Sequence, residues 1–360
     1  MTRNRTIDVA RGLAIALVVL GHNRIGETAI ATLYAFHVHT FFLLTGVTFG
    51  FARYRDDPAG LARDRFCRLV VPYLVSAAGF YLLWYFVARR FGEDAGRPIP
   101  AWKPALGILY GNGVGDWLVF NAPLWFLPAL FVAGLLLWAV LRVAEGWSEP
   151  ARAALVLAGA AAGYATSRVV LLPWGADLAL VALAFMYLGY ELNRRGLLRD
   201  GRPLLSIPAA ILAAGVLALV VAGNGAVDMA QRRYHVLPLF LLGGIAGGAL
   251  VLQASGWIAR WERPAALFTL LGRESLVVLV FHLLGMQVLS AALVFGLGVD
   301  AEAAMRRFWW AYAAFGIAFS LAVAAVARRV PPLRAVYYGS PGPREPARAP
   351  LPPGTPATSR

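Results

Sequence analysis

Cysteine and charged residues are both scarce in this chain of 360 residues. The one cysteine, Cys67, excludes an intrachain disulfide framework and a cysteine-cluster metal site. Charged residues make up 14% of the chain, where a soluble domain has roughly a quarter, so a soluble globular protein is not expected. Lysine occurs once, at Lys103, and arginine carries almost all of the positive charge.

Apolar residues are abundant instead. They make up 59% of the chain, and the mean hydropathy is +0.64. They fall in blocks of about 17–22 residues, the length that crosses a bilayer as a helix. The sequence therefore predicts an all-α polytopic membrane bundle with about ten transmembrane helices. The predicted spans are 7–20, 29–51, 69–88, 122–143, 153–171, 178–192, 204–223, 236–254, 267–295 and 308–326.

The distribution of arginine predicts the orientation of the bundle. Loops on the side of the N-terminus hold about twice as many basic residues as loops on the other side, which predicts that both termini are cytoplasmic. The net charge of +14 does not indicate a nucleic-acid partner, because the arginines are scattered among short loops. Residues 1–330 are expected to be one membrane-embedded domain. Residues 331–360 are Pro-rich and are expected to be a disordered cytoplasmic tail.

Three ionisable residues mark the first predicted span, and such residues at membrane depth usually have a function. Arg11 and His22 are eleven positions apart, which places them on one face of a helix, roughly 16 Å apart along its axis. Asp8 lies one turn before Arg11, close enough to pair with it. These residues alone leave open a plain alternative, in which arginine and histidine only anchor the helix at the two interfaces.

Two further stretches place histidine or arginine near the predicted spans. In "FHVHTFFLLTGVTFG", His37 and His39 point to different faces of a helix, so one is expected in the bundle and the other at the interface. This spacing does not favour a shared metal. Arg65 and Arg68 lie one turn apart before the third span. They fit either the positive-inside rule or a cradle for a phosphorylated ligand, and the sequence favours neither.

The stretch "GRESLVVLVFHLL" combines an acid, a hydroxyl and an imidazole in the ninth predicted span. Ser275 and His282 are seven positions apart and share a face, with Glu274 beside the serine. The separation is about 10 Å along the helix, so serine and histidine cannot be a direct catalytic dyad. A hydrogen bond from His282 to a neighbouring helix is an equally good interpretation.

An ordered set of motifs in the chain resembles a known family. It comprises "D-x-x-R-G-(x)9-H", "FH-x-x-x-FF-x-x-TG", "R-x-x-R-L-x-x-P-Y", "LWFLPALF" and "G-x-x-S-L-(x)5-H", over about residues 5–295. The set resembles the acyltransferase-3 family of integral membrane acyltransferases. The stretches "LPWGADLALVALAFMYLGYEL" and "GNGAVDMAQRRY" are most similar to its fucose 4-O-acetylase-like branch. Two positions depart from the branch, which has serine where Thr45 stands and proline where His39 stands.

The resemblance implies an enzyme that acylates a hydroxyl group. The implied donor is acyl-CoA, most simply acetyl-CoA, and no metal is implied. The implied acceptor is a sugar or a lipid-linked glycan, which makes the reaction O-acetylation in polysaccharide modification by a multi-pass protein of the cell membrane. Carried over residue by residue, the implied catalytic residues are His22, Arg11 and Asp8, the coenzyme ligands are Arg65 and Arg68, and the supporting residues are His37, Trp125, Glu274, Ser275 and His282.

Two open questions accompany these assignments. His22 is expected either to act as a base on the acceptor hydroxyl or to carry the acyl group itself. A proton-coupled transporter or exporter would also place ionisable residues within the membrane. The chain shows no internal repeat of the kind that marks many transporters, and this favours the enzyme.

Overall fold

A computed structural model describes residues 4–91, 94–198 and 200–339. These residues form α-helices and no β-strand, apart from one isolated bridge between Asp228 and Arg233. The helices are α1 Arg5–Gly21, α2 Glu27–Tyr34, α3 His37–Val47, α4 Phe51–Tyr54, α5 Pro58–Arg65, α6 Val71–Leu83, α7 Arg89–Phe91, α8 Trp102–Tyr110, α9 Phe126–Val143, α10 Glu149–Ser167, α11 Ala176–Arg194, α12 Ile207–Asn224, α13 Leu237–Ile258, α14 Glu262–Arg273, α15 Ser275–Leu297, α16 Ala301–Arg307, α17 Trp309–Arg329 and α18 Pro331–Tyr338.

Single helical turns of other types join some of these helices. The π-helical turns Phe66–Val70 and Trp84–Ala88 connect α5, α6 and α7 into one long element. The 3₁₀ turns Ala122–Trp125 and Pro173–Gly175 lead directly into α9 and α11.

The predicted fold class, an all-α polytopic membrane bundle, is confirmed. Within the described parts of the chain, eight helical stretches are long and apolar enough to cross a membrane: Glu27–Val47, Pro58–Phe91, Ala122–Val143, Pro173–Arg194, Ile207–Asn224, Leu237–Ile258, Ser275–Leu297 and Trp309–Arg329. Two of the ten predicted spans, 7–20 and 153–171, correspond to α1 and α10, which are not among the eight. Helix α1 has only 17 residues, and α10 is rich in weakly apolar alanine and glycine. The side of the membrane on which the termini lie stays a prediction.

Two of the predicted spans contain a break in the helix. The predicted span 267–295 begins too early, because the backbone of Glu274 (φ −95°, ψ 7°) ends α14 and separates it from α15, and the candidate span is Ser275–Leu297. The predicted span 29–51 corresponds to the candidate span Glu27–Val47, which the backbone of Phe36 (φ −148°, ψ −20°) divides into α2 and α3. In both places the apolar run continues through the break, so hydropathy alone does not show it.

Close backbone contact fixes α1 in the middle of the bundle, where it packs on α14, α13, α3 and α15. A Cβ atom on Gly12 would lie 1.8 Å from the carbonyl oxygen of Phe268, and one on Gly272 would lie 2.1 Å from that of Asp8. Glycine at both positions therefore lets the backbones of α1 and α14 touch. This contact fixes the position of α1 and of the residues at its two ends.

Helix α3 runs antiparallel to α1, so each end of α1 meets one end of α3. His37, at the start of α3, lies close to Gly21 at the end of α1. Thr48, just after α3, is hydrogen-bonded by Arg11 near the start of α1. Polar side chains thus meet at two places, one at each end of this helix pair.

The last described helix lies within the segment that was predicted to be a disordered tail. Helix α18 docks on the bundle through two consecutive tyrosines. The hydroxyl of Tyr337 lies 2.9 Å from Ser76 Oγ, and the hydroxyl of Tyr338 donates to Glu274 Oε2 at 2.6 Å. The prediction is therefore corrected for residues 331–338. Residues 340–360 of the predicted tail lie outside the described residues.

Candidate active site

Two histidine rings meet where α15 packs against the end of α1. Nδ1 of His22, the residue after α1, donates to the carbonyl oxygen of Val18 at 2.8 Å. Nδ1 of His282 likewise donates to the carbonyls of Val278 (2.9 Å) and Leu279 (3.0 Å). Nε2 of His282 lies 3.4 Å from Nδ1 of His22, and the two ring centroids are 4.9 Å apart. Since a carbonyl only accepts, these contacts assign both protons to Nδ1.

This arrangement prepares His22 to accept a proton. Its Nδ1–H is directed at Val18 and His282, which leaves the lone pair on Nε2. Burial lowers the pKa of His22 below its ordinary value of 6.5. The imidazole is therefore neutral at neutral pH, the form that serves as a general base.

A cavity of about 220 Å³ opens beside His22. The predicted supporting residues His37 and Trp125 also line it. Nδ1 of His37 donates to the carbonyl of Leu33 at 2.6 Å, which fixes that ring in the same tautomer. The cavity is smaller than the roughly 300–1,000 Å³ of sites for drug-sized ligands. It can hold a small organic group and is too small for a nucleotide.

The structure adds functional candidates that the sequence reasoning missed. Asp228, in the loop between α12 and α13, lines the same cavity as His22. Four residues further on, Arg232 is buried and bidentate to Asp177, with Nε–Oδ2 at 2.9 Å and Nη2–Oδ1 at 3.2 Å. These residues lie in the stretches "LPWGAD" and "GNGAVDMAQRRY". Both stretches contribute to the family resemblance, and that is the sequence feature that could have identified the residues.

At the opposite end of α1, two of the predicted arginines meet around the end of α3. Nη2 of Arg11 donates to Thr48 Oγ1 at 2.8 Å. The guanidinium carbon of Arg65 lies 4.8 Å from the ring centre of Phe49, the next residue. Arg65 also lies against the backbone of Gly134 in α9, where a Cβ would be 2.4 Å from Nη1. Its buried Nε has no hydrogen-bond partner among the described residues.

The two predicted coenzyme ligands differ in exposure. Arg68 is exposed in the π-helical turn that follows α5, whereas Arg65 is half-buried. One of the two arginines is therefore packed against Phe49 and Gly134, and the other is accessible from solvent. We call Arg11, Arg65 and Arg68 the arginine end of the bundle, and the surroundings of His22 the histidine end.

Comparison with protein families gives one match. The family model of acyltransferase-3, described as an acyltransferase domain, matches residues 4–329. The chain belongs to the acyltransferase-3 family. Comparisons with curated proteins and with solved structures give no match. The matched range contains both the histidine end and the arginine end, and the chain is a multi-pass membrane acyltransferase.

Three predicted site residues of this acyltransferase lie away from the cavity. Glu274 is 2% exposed, forms an ion pair with Arg328 and accepts from Tyr338, so it belongs to the docking site of α18. Ser275 begins α15, two turns from His282. Asp8 is buried in the first turn of α1, and its predicted pairing with Arg11 stays a prediction.

The prediction that either His37 or His39 faces the membrane interface is wrong, because both rings are buried. His39 packs on Phe185 and Phe240 with centroid distances of 4.8 and 4.5 Å. Gly244 makes room for this ring, since a Cβ there would lie 2.7 Å from His39 Cδ2. Across residues 4–91, 94–198 and 200–339, no three His, Cys, Asp or Glu side chains are grouped as a metal site requires.

Proposed function

We propose that this membrane acyltransferase transfers an acetyl group from acetyl-CoA to a hydroxyl of a sugar, as part of a glycan or lipid-linked glycan at the cell membrane. The proposal is based on the protonation state and the position of His22. Burial lowers the pKa of its ring, which is therefore neutral at neutral pH. Its Nδ1–H is fixed by Val18 and His282, and the ring lines a cavity. A base so placed matches the need of an alcohol that attacks a thioester.

In the direct reaction, the acceptor oxygen attacks the carbonyl carbon of the thioester while Nε2 of His22 takes the hydroxyl proton. The carbon–sulfur bond then breaks, its electron pair stays on sulfur, and the imidazolium returns the proton to the thiolate. In the two-step form, Nε2 carries the acetyl group between the two substrates. Nε2 of His282 beside Nδ1–H of His22 stabilises the imidazolium in both forms.

The arginine end fits the phosphates of the donor. Guanidinium groups bind phosphate oxygens in bidentate geometry, Nε of Arg65 has no hydrogen-bond partner among the described residues, and Arg68 is exposed. Arg11 lies in the second turn of α1 and His22 directly follows its last residue, which separates them by roughly 16 Å along the helix axis. The long pantetheine arm of coenzyme A is suited to this separation, with the nucleotide at the arginine end and the thioester at the histidine end.

The cavity supports an acetyl donor and a small acceptor group. A volume of about 220 Å³ does not accommodate a long acyl chain together with an acceptor. The proposed membership in the fucose 4-O-acetylase-like branch is supported by the two stretches that resemble it, because they supply the buried pair Asp177 and Arg232 behind the cavity.

Transfer of isotope-labelled acetyl groups tests the proposal. The full chain, purified in detergent, is incubated with labelled acetyl-CoA and a panel of methyl glycosides, and the products are analysed by mass spectrometry. We expect a labelled sugar ester and one equivalent of free coenzyme A. An exporter would move the sugar across a vesicle membrane without consuming the thioester, and that result would reject the proposed reaction.

A further inference from the structure

Part of the lining of the cavity beside His22 comes from the loop between α12 and α13. Asp228, Met229, Ala230 and Gln231, four consecutive residues of this loop, line the cavity. Asp228 is the one carboxylate among the lining residues. The loop therefore brings an acidic side chain to a cavity that already holds two imidazoles and an indole.

The backbone of the loop forms a tight hairpin that orients Asp228. The amide of Asp228 donates to the carbonyl of Arg233 at 3.0 Å, and the amide of Arg233 donates back at 2.9 Å. The amide of Gln231 donates to Oδ1 of Asp228 at 3.1 Å. Backbone amides of the hairpin thus orient the carboxylate, which keeps lone pairs for a ligand because each of its oxygens can accept more than one hydrogen bond.

A buried ion pair ties this hairpin to the rest of the bundle. The side chain of Arg232 is 4% exposed and that of Asp177, at the start of α11, is 0% exposed. Nη1 of Arg232 also donates to Asn112 Oδ1 at 2.8 Å and to the carbonyl of Ala230 at 2.7 Å. The backbone of Arg232 has φ of +56°, a conformation that is unfavourable for a residue other than glycine. Because the guanidinium of Arg232 forms all of these hydrogen bonds, the hairpin and the side chain of Asp228 are held in one position.

Asp228 is unusual as a merely structural residue. It is half-buried and lines the cavity, and burial raises the pKa of its carboxyl group above the ordinary value of 3.8. Among the described residues no ion pair joins it to Arg232, whose guanidinium is bound to Asp177. A carboxylate that lines a cavity without an ion-pair partner can accept hydrogen bonds from a ligand.

The cavity lining also includes an aromatic side chain, that of Trp125. The indole of Trp125 is 7% exposed and packs on Gly113, where a Cβ would lie 2.8 Å from Cδ1 of the indole. A sugar ring has one set of C–H bonds that packs on an aromatic face and hydroxyl groups at its edge that donate to a carboxylate. The combination of Asp228, Trp125 and the base His22 in one small cavity matches these features.

We infer that Asp228 and Trp125 form the acceptor subsite, in which the carboxylate accepts a hydrogen bond from a sugar hydroxyl next to the one that is acylated. The inference rests on the proposed acetyl transfer and adds the residues that select the acceptor. The ligand class is a monosaccharide unit with adjacent free hydroxyls. A simple alcohol lacks the second hydroxyl and leaves Asp228 unpaired, which a site of this kind disfavours strongly.

Binding tests the subsite without reference to turnover. Thermal unfolding of the full chain in detergent is measured with and without a panel of methyl glycosides, and separately with acetyl-CoA. We expect a sugar-dependent rise in the unfolding temperature of the wild type that is lost in Asp228→Asn, while the rise with acetyl-CoA remains. Glu145→Gln removes one carboxylate near Arg55 and Arg142, away from the cavity, and is the matched control.

Kinetics supply the second readout. We expect Asp228→Asn to raise the KM for the sugar by about 10- to 100-fold, as for the loss of one charged hydrogen bond, and to leave the KM for acetyl-CoA within about twofold. Asp228→Glu is expected to recover part of the loss. If acetyl-CoA does not raise the unfolding temperature of Asp228→Asn, that variant is misfolded and Trp125→Phe is used in its place. We expect Trp125→Phe also to raise the KM for the sugar and to leave the KM for acetyl-CoA nearly unchanged.

The outcomes separate the subsite from the reaction. An active wild type whose Asp228→Asn and Trp125→Phe variants keep the sugar KM overturns the subsite and leaves the proposed reaction standing. A wild type that consumes no acetyl-CoA but shows a sugar response lost in Asp228→Asn overturns the reaction and supports the subsite. Equal loss of the donor and sugar responses in folded variants also overturns the assignment, because it shows no preference for the acceptor.

Discussion

Nε2 of His282 lies 3.4 Å from Nδ1 of His22, so one histidine supports the other across the contact of α15 with α1. His282 is fully buried, does not line the cavity, and has its own proton committed to Val278 and Leu279. It is therefore a positioning residue that acts through His22.

Replacing His282 by phenylalanine keeps a ring of similar size and removes the acceptor beside His22. We expect kcat to fall by about 10- to 100-fold, as for loss of a group that orients a functional side chain, with both KM values little changed. Steady-state kinetics with both substrates varied measures this split. An unchanged kcat, or a loss confined to KM, would contradict the positioning role.

The pH dependence of turnover follows from the environment of His22. Burial lowers its pKa below 6.5, so the ring stays neutral and able to accept a proton as the pH falls toward that value. We expect the acid limb of kcat/KM to lie below pH 6.5 in the wild type. Other groups near the site are His282, His37 and Asp228. A limb at or above pH 6.5 that moves with substitution of His37 would assign the titration to that residue instead.

The arginine end allows a charge-matched comparison. Arg63 is exposed on α5, the same helix that ends at Arg65, so Arg63→Ala removes the same charge from the same loop as Arg65→Ala or Arg68→Ala. We expect the last two to raise the KM for acetyl-CoA by about tenfold or more each, as for a lost charged hydrogen bond, and Arg63→Ala to have little effect. An equal effect of all three would mean that these arginines serve only membrane topology.

Substitution of glycine by alanine is expected to change the stability of the protein in opposite directions at two positions. Gly12→Ala would place a Cβ 1.8 Å from a backbone oxygen of α14, and we expect it to cost about 1–3 kcal/mol or more, the range for overpacked cores. Gly79→Ala in α6 meets no atom within 4 Å and should be neutral or stabilising by up to about 1 kcal/mol. Thermal unfolding in detergent compares the two. Equal stability of both variants would contradict the close contact of α1 with α14.

The long apolar helices were predictable from the sequence because each needs only a local property, its run of apolar residues. Helix α9 illustrates this, since the predicted span 122–143 equals the stretch Ala122–Val143 that includes its leading 3₁₀ turn. The break at Glu274 was not predictable in the same way. Its carboxylate is held by Arg328 and Tyr338, which come 54 and 64 positions later in the chain.

The candidate site was predictable in part for the same reason. The spacing of Arg11 and His22 predicts one helix, and α1 carries Arg11 and ends directly before His22, but the spacing does not show that His22 meets His282, 260 positions away. The pair Asp177 and Arg232 likewise joins the first turn of α11 to a distant loop. Each of these residues belongs to a sequence motif. The residue with which it pairs, however, is determined only by the packing of α1, α11 and α15.

The central claim is that His22 is the base, or the acyl carrier, in acetyl transfer from coenzyme A to a sugar hydroxyl. The most direct measurement is the acceptor-dependent release of coenzyme A by the purified wild type, His22→Ala and His235→Asn. His235 is exposed and has a left-handed backbone (φ +52°) that asparagine tolerates, so its variant controls for loss of a histidine. The account predicts a loss of about 100-fold or more in His22→Ala alone, with the unfolding temperature unchanged. Transfer at the wild-type rate by folded His22→Ala would contradict it.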